Sequence, residues 1–168
     1  MTSQNPSTSP FDELRQQRRQ QVDEALDHAL PPADAPPLTG SYVAEHEVIV
    51  YDGTDWTPQP ATDQLAVVPR EDSLDVSFVL LHTNAHICEW HGTMGREGDE
   101  WVSREVLEYV GERPECAMTL HVSADSLTLG DPGAVCRRAY CGARGTIDGI
   151  GFARTTRTAD VSWRDGLR

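Results

Sequence analysis

The chain has 168 residues, 38 % of them hydrophobic, with 13 glycines, 11 prolines and a formal net charge of −13. All 14 basic residues are arginines, against 27 acidic ones, and this balance argues against nucleic acid or an anionic lipid surface as the default partner, since both call for a basic stripe. No apolar run approaches the ~18 residues of a membrane span, and the length fits one domain with a tail.

Residues 1–9 are polar and rich in Ser and Pro, and are expected to form a disordered lead-in. "SPFD" then carries a helix-start signal, with Ser9 as cap and Pro10 in the first turn. Phe11, Leu14, Val22, Ala25, Leu26, Ala29 and Leu30 recur at helical spacing, which predicts a helix over 10–30. The Pro-rich stretch 31–39 ends it as a stiff linker. This helix either packs on the rest of the chain or docks a partner. The first 20 residues also lack the apolar core of a signal peptide, so the compartment expected from them is the cytoplasm.

From residue 40 onward the period changes to two, and 40–168 is expected to be a β-domain. "YVAEHEVIVYDG" is a strand closed by the Asp52-Gly53 turn. "QLAVV" is a short strand ended by Pro69. In "LDVSFVLLH", Leu74, Val76, Phe78 and Leu80 form an inward face. "HICEWHGTM" and "WVSREVLEYV" lie on either side of a "GREGDE" turn, and "ECAMTLHV" places Cys116, Met118, Leu120 and Val122 on one face. "SLTLG", "VCRRAYC" and "GTIDGIGFART" complete the series. About eight short strands with frequent turn signals and no α/β alternation predict an all-β fold, a small antiparallel meandering barrel or sandwich preceded by the one helix.

"HICEWHG", residues 86–92, concentrates metal-binding and redox residue types. On one strand His82, His86 and Cys88 share a face and His91 points away. A zinc site from His86, Cys88, Cys136 and Cys141 is the alternative reading, and zinc is the one cofactor it would bring. No Cys-x₂-Cys knuckle or redox Cys-x-x-Cys is present, and no carboxylate orders Cys88 and His91 into a relay, so no cofactor and no catalysis are expected. Structural disulfides remain. The hairpin turn near Ala124-Asp125 sets Cys116 opposite Gly133 to Cys136, so a 116–136 bridge would close the hairpin's open end and leave 88–141. Four cysteines allow three connectivities, which stay open at this level. Bonded cysteines would place the chain in an extracytoplasmic, oxidising compartment instead.

"AHICEWHG", "CAMTLHV" and "CRRAYCGARGTIDGIGF", within roughly 84–153, resemble a family of small bacterial β-proteins. The shared pattern is His86-x-Cys88-Glu89, then Cys116, Met118 and Leu120, then Tyr140 to Gly145 with Asp148, Gly149 and Phe152. That family is similar in size and cysteine use to exported small-barrel inhibitors of lysozyme. The resemblance implies a non-enzymatic binding or inhibitory protein that engages a basic partner protein, such as a lysozyme-like hydrolase or a toxin. Such an enzyme works with two carboxylates over a sugar cleft, which a protruding Arg144 with Tyr140, beside Asp148, would plug. "YDGTDW" adds Trp56, either half-core after its turn or a sugar-stacking ring. Two other expectations differ in class: an enzyme or metal protein centred on His86 and Cys88, and an interaction module that docks through its N-terminal helix.

Overall fold

The computed structural model describes residues 37–167. The expected lead-in, the helix over 10–30 and most of the linker over 31–39 lie outside the described residues. Eight antiparallel strands succeed one another in a single meander: β1 (Gly40–Tyr51), β2 (Trp56–Pro69), β3 (Ser73–His82), β4 (His86–Glu97), β5 (Glu100–Val106), β6 (Glu115–Val122), β7 (Ser126–Gly130) and β8 (Gly151–Ala153). The sheet curls into a nearly closed barrel. Its seam is the pair Ser41 and Thr158, which exchange backbone hydrogen bonds of 2.9 and 2.8 Å just beyond β8. Gly40 is required there. Its φ is +151°, and a Cβ would stand 2.5 Å from the Thr158 carbonyl oxygen.

The alternating patterns set the core. Leu74, Val76, Phe78 and Leu80 of β3 are buried against Cys88, Trp90 and Met94 of β4, and Phe78 stacks on Trp90 with centroids 5.9 Å apart. Cys116, Met118 and Leu120 of β6 and Leu127 and Leu129 of β7 complete the interior with Phe152 and Ile147. Each large side chain removed from water in this way contributes about 1.5–3 kcal/mol.

Several stretches differ from the sequence expectation. "WVSREVLEYV" is strand only as far as Val106. The turn Thr83–Ala85 puts His82 at the end of β3 and His86 at the start of β4, so His82, His86 and Cys88 do not share one strand. β2 begins at Trp56, eight residues before Gln64, although "WTPQPATD" carries Pro58 and Pro60. The β2–β3 ladder starts only at Gln64↔Val79, so this half of β2 is an edge, where alternate prolines lose no ladder bond. "VCRRAYC" is not a strand: it holds a four-residue helix, α1 (Arg137–Tyr140). In "GTIDGIGFART" only Gly151–Ala153 is strand.

Two geometric consequences place the candidate site. The second half of β1 and the first half of β2, joined by the Asp52–Asp55 turn, form an arm beyond the β2–β3 ladder. In addition, β4 and β5 pair only over Gly95–Glu97 and Glu100–Val102, after which β5 continues along β6 and leaves β4 alone. The long connection 131–150 fills that gap.

Candidate functional site

The 131–150 connection is pinned at both of its sides. Cys136 bonds Cys116 at the open end of the β6–β7 hairpin, and Cys141 bonds Cys88 on β4. All four cysteines of the chain are thereby used, and Cys88 is a fully buried half-cystine. Gly142 N–H donates to the Ile87 carbonyl at 2.9 Å, so the loop takes the place beside β4 that β5 has left. Gly145 packs directly on the 88–141 bridge, where a Cβ would lie 2.6 Å from Cys88 Sγ. Asp131, 2 % exposed, receives Cys136 N–H and Arg137 N–H at 2.8 Å each and so fastens the start of α1. Two disulfides fit an oxidising, extracytoplasmic compartment. Among the described residues, no helix is long and apolar enough to cross a membrane.

The three residues singled out for partner binding are held by different neighbours. Tyr140, half-buried, donates its hydroxyl to Glu105 of β5 across the β4–β5 gap. Burial first, and the Glu105 carboxylate second, push its phenol above the ordinary range. Asp148 Oδ1 accepts Asp131 N–H at 3.0 Å and ties the two ends of the loop together. Arg144 alone reaches away from these fastenings: its guanidinium lies 5.7 Å from the Trp56 ring centroid. The zinc alternative is not assembled, because Cys88 is joined to Cys141 and Cys136 to Cys116.

Trp56 belongs to a surface that sequence reasoning did not single out. On the outer face of the arm, Tyr51 lies opposite Trp56, Ile49 opposite Pro58, Glu47 opposite Pro60 and Glu45 opposite Thr62. All eight are exposed, with Ile49, Tyr51 and Trp56 at 41 %, 48 % and 53 %. The Tyr51 and Trp56 rings stand 5.2 Å apart, tilted by 43°. A signal was present: in "HEVIVY" both parities are apolar from Val48 to Tyr51, while Val48 is buried beneath the arm, so the other face stays apolar in water. At the tip, Asp52 Oδ1 accepts Thr54 N–H at 2.9 Å and Asp55 N–H at 3.0 Å, and these backbone donors hold its carboxyl below the ordinary range. The arm is tied down by Asn84, whose Oδ1 accepts Tyr51 N–H at 2.9 Å.

At the base of the arm, Asp63 is 4 % exposed and takes Leu81 N–H at 2.8 Å where the β2–β3 ladder stops. His46 Nε2 lies 3.1 Å from the same oxygen. His82 and His86 form the last pair of the β3–β4 ladder nearby, and His82 Nε2 accepts Thr146 N–H at 3.4 Å. Among the described residues, no three His, Cys, Asp or Glu side chains converge as a metal site would require. A recess of about 210 Å³ on the outer face of β3 and β4 is lined by Asp75, Ser77, His91, Thr93 and Arg164. Its carboxylate is already bonded to Arg70 at 2.7 Å and Thr93 at 3.2 Å.

No family model, no curated protein and no solved structure matches this chain.

Proposed function

We propose that this chain is a non-enzymatic binding protein: an acidic barrel that binds, and thereby inhibits, a cationic partner protein such as a lysozyme-like hydrolase or a toxin. The observation that carries the reading is the outer face of the arm. Ile49, Tyr51, Trp56 and Pro58 stand there as one cross-strand block in water, with Glu45, Glu47, Asp52 and Asp55 around it.

Exposed aromatic side chains grouped within a polar rim are the composition from which strong protein contacts are built. Carboxylates at that rim steer a positively charged partner and repel an acidic one, and the whole-chain charge of −13 works in the same direction. Pro58 and Pro60 remove backbone donors from the edge of the arm, so recognition by its face is favoured over addition of a strand. The two disulfides hold the loop under Arg144 in one arrangement before binding, which lowers the ordering cost of association. In this reading Arg144 lies on the docking surface, while Tyr140 and Asp148 set the position of the loop behind it. The extracytoplasmic setting fits a partner that acts on glycans outside the cell.

The test is a panel of basic glycan hydrolases, each assayed for activity and co-sedimentation with the oxidised protein at low salt. Capture of at least one basic hydrolase with loss of its activity supports the proposal. Failure of every basic hydrolase to bind at low salt would remove it.

A further inference from the structure

We infer that Tyr51 and Trp56 form a slot for an arginine side chain of the partner, and that the chain's own Arg144 is the placeholder resting on it. The inference rests on the arm face as docking surface and names the chemistry that surface takes. Three observations converge. The two rings are adjacent and tilted, with centroids 5.2 Å apart. A guanidinium already lies over one of them, at 5.7 Å, near the ~6 Å limit at which a cation is attracted to a ring face. Trp56 nevertheless stays 53 % exposed, so Arg144 leaves most of the ring open.

The surroundings favour a cation over a neutral ligand. The Asp52 carboxylate, held below the ordinary range by its two backbone donors, and the exposed Asp55 stand in the same turn. Arg144 is also held independently of Trp56. Its neighbours Gly142 and Gly145 are packed against β4 and the 88–141 bridge, and Ile147 is buried in the core. Its reach over the indole is thus a consequence of the loop's anchoring, and the contact is a weak one that a better-placed guanidinium can replace.

The experiment tracks the tryptophan indole N–H resonances of the ¹⁵N-labelled oxidised protein, with Trp56 assigned through Trp56→Phe, while arginine amide is added. Citrulline amide, the neutral isostere, is the control, and a chito-oligosaccharide is the competing ligand. The expected result is a saturable shift of the Trp56 resonance with arginine amide alone. In Arg144→Gln its midpoint falls about two- to five-fold, because an exposed cation–π contact of this kind no longer competes. An equal response to citrulline amide, an unchanged midpoint in Arg144→Gln, or no shift with arginine amide would overturn the slot. A response to the oligosaccharide in place of arginine amide would overturn it too, and assign the rings to sugar stacking. Arginine amide binding without capture of any basic hydrolase would support the slot while removing the proposed function. Capture of a hydrolase without an arginine response would do the reverse.

Discussion

Asp63 Oδ1 accepts the backbone N–H of Leu81 at 2.8 Å, so a side chain makes the bond that the next rung of the β2–β3 ladder would have made. The barrel wall can end there and the arm can leave it without abandoning a buried donor. Asp63→Ala leaves that N–H unpaired and should cost about 1–3 kcal/mol. Thermal unfolding measures the loss, and amide exchange at Leu81 should accelerate. Asp63→Asn, which keeps an acceptor oxygen, should lose less.

Stability should fall as the solution becomes mildly acidic, in part through His82. Burial pushes its imidazole below the ordinary value, with the neighbouring His46 and His86 acting in the same direction and Asp63 against them. A folded-state value below the unfolded one means that the unfolded chain takes up the proton first. The stabilisation is therefore complete above the unfolded value of about 6.5 and is lost as pH falls below it. Melting temperature recorded between about pH 7.5 and 5 should decline, and His82→Gln should flatten that decline.

The bridges should dominate stability. Cys88–Cys141 closes a separation of 53 residues and Cys116–Cys136 one of 20, for which chain entropy gives about 4 and about 3 kcal/mol. Paired serine replacement of Cys88 and Cys141 should lower the melting temperature by roughly ten degrees. Thiol counting should find none reactive in the native protein and four after denaturation with reductant.

These features differ in how far they can be read from residues alone. The strand around Phe78 and the strand from Cys116 are legible because burial on one face imposes a period of two. The 116–136 bridge is one of the three connectivities the sequence leaves open, and the hairpin turn that brings those residues together at its open end is the feature that points to it. The first half of β2 is not legible, since an edge strand tolerates the very prolines that ordinarily mark a break. Nor is α1, whose four residues are held by Asp131 and the disulfides more than by any helical pattern of their own. At the candidate site Arg144 stands out through its flanking glycines, but its neighbour Trp56 is brought there only by the closed meander. Tyr140 and Asp148 carry surface-like chemistry in sequence and turn out to fasten the loop.

Tyr140 and Tyr42 should ionise above the ordinary phenol range in an alkaline spectrophotometric titration. Burial raises both, Glu105 adds to it at Tyr140, and Arg154 and Arg157 partly offset it at Tyr42. Since the folded values lie above the unfolded ones, this stabilisation holds below about pH 10 and is lost as pH rises beyond it. Tyr140→Phe should remove one late ionisation and weaken the fastening of α1 to β5.

The proposed binding of a cationic protein by the aromatic face of the arm is tested most directly by calorimetric titration of a captured basic hydrolase into wild type and Trp56→Ala. Trp56→Ala should melt like wild type, because its ring is exposed, yet lose at least about 2 kcal/mol of binding, or some 30-fold in affinity. Added salt should weaken both complexes. Equal affinity of Trp56→Ala and wild type for the same hydrolase would contradict the role given to the arm.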